Sequence, residues 1–483
     1  MSRIIVGPFN RVEGDLEVQL EMEGNQVASA FIKPTLFRGF ETMLVGRNPN
    51  DTLIYAPRIC GICSVSQSVA AAKSLSQIYG ITPTDNGQKA INLMLANENA
   101  ADLLTHFYLF FMPDFARETY RDTPWFNKVE ERFKSVTGKA ASKAVEARAN
   151  WLKMMGVLAG HWPHTLAIQP GGTSRAISEN ETTKLHLMAR KLRRFLEEHL
   201  IGDKLETFLN LENEGDFNQW LNNKNVAQSD FGLFCEVAKY LNLETLGKSP
   251  GRLMSYGSFS HEEHLSFLPG LYIDGKISDI NPSAITEDIS HSHYQGAPSA
   301  SPWNSTTQPD IDKPNTYSWC KAPRLDQKVI EVGSLARQVV NKTPLIDDLM
   351  KQYGSTVYTR IVARVYELVK IITLAESWLD TGFTNEKAFC LQPQGIQSNR
   401  GIGLVEAARG SLGHWLELEN DVIKNFQVIA PTTWNFSPRD QNGIPGPLEQ
   451  ALVGALKRQD ETSPVSVQHI VRSFDPCMVC TVH

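Results

Sequence analysis

The chain has 483 residues, enough for two to four ordinary domains or one large unit. With 42% hydrophobic and 21% charged residues it reads as a folded globular protein, neither disordered nor collagen-like. The net charge of −6 argues against a general nucleic-acid binder and against a basic membrane-surface protein. No apolar run reaches the ~18 residues that a membrane span needs. The opening MSRIIVGPF has no charged segment followed by an apolar one, so no secretory signal is expected. Seven cysteines, an odd and low count, favour reduced thiols or metal ligands over a disulfide scaffold.

In chain order, Ile4-Ile5-Val6, residues 16–20 and residues 27–32 alternate in the manner of short antiparallel strands around a turn at Glu23-Gly24-Asn25. Residues 64–79 carry Val65, Val69, Ala72 and Leu75 at helical spacing, with Gly80 as a stop. Residues 86–111 predict a long apolar helix, and 142–157 and 181–211 two more, the last with a charged, solvated face. Residues 276–325 are rich in Ser, Pro, Asn and His without periodicity. Such a length exceeds an ordinary connection and points to a functional or interface surface. Helices are expected again over 327–353 and 355–379, then a mixed region, then a last helix over 448–458. Neither a repeat nor a Gly/Ser linker divides the chain, so the expectation is one helix-rich α+β domain over 1–483.

Four cysteines form two CxxC pairs, Cys60-Gly61-Ile62-Cys63 before a helix and Cys477-Met478-Val479-Cys480 close to the end. Two-residue spacing lets both sulfurs face one ion, and a helix N-terminus favours thiolate. A local zinc ribbon would place its pairs ~15–20 residues apart, whereas Cys63 and Cys477 are 414 positions apart. Four thiolates suit zinc, an iron–sulfur cluster, or nickel with iron, and spacing leaves that choice open.

The flanking segments narrow it. Arg11-Val12-Glu13-Gly14, Arg38-Gly39-Phe40-Glu41, Arg58-Ile59-Cys60-Gly61-Ile62-Cys63, His106-Phe107-Tyr108, Lys321-Ala322-Pro323-Arg324, Ala408-Arg409-Gly410 and Asp475-Pro476-Cys477-Met478-Val479-Cys480-Thr481-Val482-His483 occur in this order. Together they resemble the large subunit of nickel–iron hydrogenases, over residues 3–483. The resemblance implies heterolytic cleavage of H2 to protons and electrons at a Ni–Fe(CN)2(CO) centre. It makes Cys60 and Cys477 terminal on nickel, and Cys63 and Cys480 bridging to iron. It implies Glu13 as the proton relay and Arg409 as a fixed cation over the open metal site. Asp114 and Asp475 would hold that arginine, and Thr432, with Ala430 and Pro431, would meet the cyanide ligands. Glu41, the Val428 carbonyl and His483 would bind Mg2+ or another divalent cation near the C-terminus, with Glu331 and Lys321 behind its waters. His161-Trp162-Pro163-His164 resembles a segment at the interface with the electron-transfer subunit. Cys235, Cys320 and Cys390 fit inert, small hydrophobic positions.

Several positions depart from the common family pattern. Nothing follows His483, where many members carry a removable extension, so the chain is expected to be the processed form or a type without one. Asp15, Gln67 and Leu109 stand where histidines are usual, and Phe110 where a smaller aliphatic residue is common. Ile62 with Phe110 is the bulky pair expected at the gas-channel neck of the cytoplasmic hydrogen-sensing branch. Plain core packing explains the pair as readily.

The expectation is therefore the catalytic large subunit of a cytoplasmic, hydrogen-sensing nickel–iron hydrogenase. It would carry no Fe–S cluster of its own and pair with an iron–sulfur small subunit, as a heterodimer or a dimer of heterodimers. A histidine kinase would receive its signal, H2 would be the substrate, and neither nucleic acid nor a membrane span would be involved. The alternatives are an energy-conserving uptake hydrogenase with the same chemistry, and a structural zinc-binding protein.

Overall fold

The computed structural model describes residues 2–261, 264–384, 388–458, 461 and 463–483. The N-terminal alternation forms a three-stranded antiparallel sheet of Ser2–Val6, Leu16–Glu23 and Gln26–Pro34, with Leu20 opposite both Ile4 and Ala30. Its inward residues, among them Val18, Leu20, Ala30 and Ile32, are fully buried. The period-2 pattern thus puts one face on the core.

The helical expectations hold in existence and shift at their ends. The first long helix is Ser64–Ile78, starting directly after Cys63. The next, Asp85–Thr105, is capped by Thr84, whose hydroxyl accepts from the Gly87 amide at 3.1 Å. It does not run unbroken to 111. The turn widens into a π-helical stretch at His106–Phe111, and a 3-10 turn at Met112–Ala116 follows, because Pro113 has no N–H to extend the ladder. The region expected as one helix over 181–211 is Glu179–Phe195, a π-helical turn at Leu196–Ile201 and a short helix Leu205–Leu209. Lys139–Ala159 and the 24-residue Val357–Asp380 complete a bundle in which these long helices pack in pairs.

Three expectations are corrected. Residues 327–353 hold two helices, Ser334–Val340 and Pro344–Tyr353, because Pro344 forces Thr343 into extended backbone and starts a new helix. Residues 448–458 are helical only in Pro447–Leu452, and Val465–Ser473 and Met478–Thr481 follow. The irregular span 276–325 contains short strands, including the antiparallel set Ser299–Ala300, Ile285–Asp288 and Ala322–Leu325.

A three-stranded antiparallel meander, Arg400–Ala407, Gly410–Glu419 and Val422–Ile429, lies against the Ser64–Ile78 helix. Glycine permits that approach. A Cβ on Gly403 would sit 1.9 Å from the Ala70 carbonyl oxygen. The meander carries Arg409 in its first turn and Val428 on its last strand. One continuous apolar core joins the N-terminal sheet, the bundle and the C-terminal helices, and Cys60, Cys477 and Cys480 are part of it. The fold is a single large, helix-rich α+β domain with short antiparallel sheets. Among the described residues no helix is long and apolar enough to cross a membrane.

Candidate metal centre

The four CxxC sulfurs meet. Their ligand atoms all lie within 4.8 Å of one another, and no other such group of histidine, cysteine and carboxylate side chains occurs among the described residues. Cys60 Sγ is 3.5 Å from Cys477 Sγ, Cys63 Sγ is 3.1 Å from Cys480 Sγ, and Cys477 Sγ is 2.9 Å from Cys480 Sγ. All are free thiols. Hydrogen bonds from Cys477, Cys480 and Cys63 hold the Cys60 thiol well below its ordinary value. Burial and then the Cys477 thiol push Cys480 well above it. One thiolate is favoured and the rest resist, so four thiolates can share this space only around a cation. The donor set fits a thiophilic metal centre.

Local structure explains the convergence. Cys63 is the N-cap of the Ser64–Ile78 helix, and a buried carboxylate, Glu98, takes over that helix end. It accepts from the Val65 amide at 2.7 Å, the Ser66 amide at 2.9 Å and the Trp162 indole at 3.1 Å. Burial pushes its carboxyl up to about 7 against those bonds. At the other end, Cys477 is extended and pairs in parallel with Glu13, whose carbonyl accepts from the Met478 amide at 2.7 Å. Arg38 bridges the two cysteine loops, donating to the carbonyls of Ile59 and of Val479, the latter at 3.3 Å.

Glu13 is half-buried beside this cluster. Burial and the neighbouring Cys60 raise its carboxyl above the ordinary value, while Arg409 and Arg38 oppose. Arg409 is buried and fixed at three atoms. Nη1 meets Asp102 Oδ2 at 2.6 Å, Nη2 meets Asp475 Oδ1 at 3.1 Å, and Nε donates to the Asp475 carbonyl at 3.0 Å. Of the two aspartates expected at Arg409, the structure places Asp475 beside it and Asp114 elsewhere. Asp114 binds Arg11, Arg117 at 2.7 Å and Arg472 at 2.8 Å. It lies beyond the widened turn and Pro113, so it faces the Val465–Ser473 helix, and Asp102 on the preceding helix takes its expected place. Thr432 Oγ1 accepts from the Cys477 amide at 3.1 Å, which leaves its own hydrogen free to donate. Ala430 and Pro431, both buried, start the Pro431–Asn435 helix that carries it.

Glu41, Val428 and His483 also converge. His483 Nε2 is 2.7 Å from the Val428 carbonyl oxygen and 3.3 Å from Glu41 Oε1, and Nδ1 is 2.6 Å from the Cys480 carbonyl oxygen. Although burial opposes it, Lys321 and His483 draw the Glu41 carboxyl down to about 2. Lys321 Nζ lies 3.4 Å from Glu41 Oε2 and donates to Gln427 Oε1 at 2.5 Å. Glu331 is not here. Arg360 at 2.8 Å and the hydroxyls of Ser249 and Ser355 hold it elsewhere. Glu287 takes its place, with Oε2 3.5 Å from Lys321 Nζ and neither oxygen hydrogen-bonded. Buried, unsatisfied carboxylate oxygens beside Glu41 fit a hard cation with its waters.

Reading the sequence missed Asp102, Glu98 and Glu287, and gave Arg38, part of a quoted motif, no role. Asp102 and Glu98 did leave a signal, two carboxylates within the mostly buried stretch 90–104 of one helix. Ile62 and Phe110 are half-buried, and the Phe110 carbonyl accepts from Arg11 at 3.2 Å. His164 packs near the first cysteine loop, with Nδ1 3.0 Å from the Pro57 carbonyl oxygen.

Comparison with known proteins agrees with this geometry. Residues 38–120 and 141–483 match the family model described as nickel-dependent hydrogenase. The chain is 27% identical to the periplasmic [NiFeSe] hydrogenase large subunit of Desulfomicrobium baculatum, with 100% of this chain and 95% of that protein covered. It is 24% identical to the uptake hydrogenase large subunit of Rhizobium leguminosarum bv. viciae, with 100% and 95% covered. The reduced Ni-Fe-Se hydrogenase of D. vulgaris Hildenborough superposes with a TM-score of 0.85 at 27% identity, covering 100% of both chains. The chain belongs to the nickel-dependent hydrogenase family as a large subunit, and its two CxxC pairs bind the Ni–Fe centre.

Proposed function

We propose that this large subunit cleaves H2 heterolytically, with Glu13 as the proton relay and Arg409 as the fixed cation beside the reacting atoms. The observation that carries this reading is the four-sulfur cluster flanked by both groups. When bound, the Ni–Fe centre supplies the electron-accepting and H2-polarising chemistry. Glu13 is half-buried, and its carboxyl, raised by burial and by Cys60, suits accepting and passing a proton. Arg409 keeps its charge between Asp102 and Asp475, so its guanidinium needs no reorganisation during the reaction. The Thr432 hydroxyl, with Ala430 and Pro431 beside it, would serve the cyanide ligands of that centre. Glu41, the Val428 carbonyl and His483 would hold Mg2+ or a similar cation.

Electrons leave through an iron–sulfur small subunit. Cys235, Cys320 and Cys390 lie outside the one cysteine cluster, which supports a partner as the carrier of Fe–S groups. The His161–His164 segment beside the first cysteine loop supports docking there.

The finer role we infer is hydrogen sensing in the cytoplasm, signalling to a histidine kinase. It rests on Ile62 and Phe110 as a narrow gas passage and on Asp15, Gln67 and Leu109. The named relatives are a periplasmic and an uptake enzyme, so uptake is the second reading. H2-dependent dye reduction by the purified heterodimer tests the chemistry. Exchanging Ile62→Val and Phe110→Leu makes activity oxygen-sensitive if the passage reading holds, and unchanged tolerance removes it.

A further inference from the structure

Arg409 sits in a two-residue hairpin turn, closed by the pair Ala407 and Gly410. Turns of this length usually place their central residues at positive φ, which matches the twist of the strands. Neither Ala408 nor Arg409 has positive φ. The turn that carries the cation therefore does not rest in the favoured geometry, and something outside it must hold it.

Arg337 is that brace. It is 1% exposed and lies on the Ser334–Val340 helix. Its Nη1 donates to the Ala407 carbonyl at 2.8 Å and its Nη2 to the Ala408 carbonyl at 2.8 Å, the two residues that precede Arg409. The same guanidinium is fixed by Glu367, with Nε at 2.9 Å and Nη2 at 2.5 Å, and by Glu406 Oε2 at 2.6 Å. Glu406 Oε1 reaches across the hairpin to the Ser411 hydroxyl at 2.6 Å and to the Tyr256 amide at 2.7 Å. Both limbs of the turn are thus tied to one buried fork. Gly410 closes the arrangement, since a Cβ there would lie 2.6 Å from Val332 Cγ2.

We propose that Arg337, held by Glu367 and Glu406, is a positioning residue that sets where the Arg409 guanidinium lies. Resting on the reading of Arg409 given above, it explains why a buried guanidinium, itself held by two carboxylates, donates to both carbonyls that precede Arg409. A lysine has three donors and no planar fork, so it cannot serve both carbonyls and both carboxylates at once.

The test uses the holoenzyme heterodimer with Arg337→Lys, Arg409→Lys and the double variant. Arg337→Lys is expected to lower kcat for H2 oxidation about 10- to 100-fold, the scale of an ångström-sized misplacement. KM for H2 and nickel content stay unchanged, and amide hydrogen exchange of the 405–411 peptide becomes faster. Because Arg337 acts through Arg409, the double variant is no slower than Arg409→Lys alone. Losses that multiply, or an unchanged exchange rate in that peptide, overturn the proposal. Full activity of Arg409→Lys overturns instead the reading of Arg409 on which it rests. If Arg337→Lys does not yield nickel-loaded protein, Glu406→Gln weakens the same tie with less disturbance and takes its place in the comparison.

Discussion

Arg409 and its two carboxylates show what single residues contribute. Asp102 and Asp475 each neutralise part of a buried guanidinium at 2.6 and 3.1 Å, while Asp114, twelve positions beyond Asp102, compensates three other arginines. The two aspartates therefore predict different phenotypes. Asp102→Asn removes one of the two carboxylates that hold Arg409 and is expected to lower H2 oxidation at least ~10-fold with the fold intact. Asp114→Asn leaves Arg472 under-compensated and costs stability on the order of 3 kcal/mol, read as a lower Tm. Glu13→Gln, which cannot take a proton, is expected to lose ~100-fold or more in turnover while nickel content is unchanged. At this scale the cysteines were legible because ligand spacing is local. The Arg409 partner was not, because an aspartate's reach depends on where the helix widens at His106–Phe111.

Among the elements, the Ser64–Ile78 helix links metal centre and scaffold. Its first turn presents two amides to Glu98 and its side packs on the glycine-bearing strand Arg400–Ala407. Glu98→Ala leaves those buried donors without an acceptor, at about 1–3 kcal/mol per unsatisfied group. Thermal unfolding checks it, and an unchanged Tm would remove the capping role. This helix and the N-terminal strands were legible from periodicity. The meander of Arg400–Ala407, Gly410–Glu419 and Val422–Ile429 was not. Its middle strand is buried on both faces, so alternation is absent where it would have been the signal. Pro344 was visible in the sequence, yet only the structure shows that it splits two helices.

Across the whole molecule, the ends of the chain are brought together over buried polar ties. Glu449, on the Pro447–Leu452 helix, accepts from the Ile32 amide at 3.1 Å and from the Tyr317 hydroxyl at 2.8 Å. It joins the N-terminal sheet, the 276–325 span and the C-terminal region. Burial pushes its carboxyl from 4.5 up to about 7, with Arg439 opposing. The folded state then holds a proton that the unfolded state releases, so this contribution to stability is full below pH ~4.5 and is lost as pH rises through ~7, about 3 kcal/mol in all. Glu449→Gln is expected to flatten the slope of Tm against pH in that window. The long span 276–325 looked irregular because strands as short as Ser299–Ala300 and Ile285–Asp288 show no periodicity, and it supplies Glu287 and Lys321 to the site beside His483. Thiols from both ends of the chain bind one nickel–iron centre. Elemental analysis of the purified holoenzyme tests this most directly. One nickel per large subunit, with iron in excess of it because the small subunit's Fe–S groups add their own, and nickel lost in Cys477→Ser, is the predicted result. Zinc alone, or nickel retained in full by that variant, would contradict it.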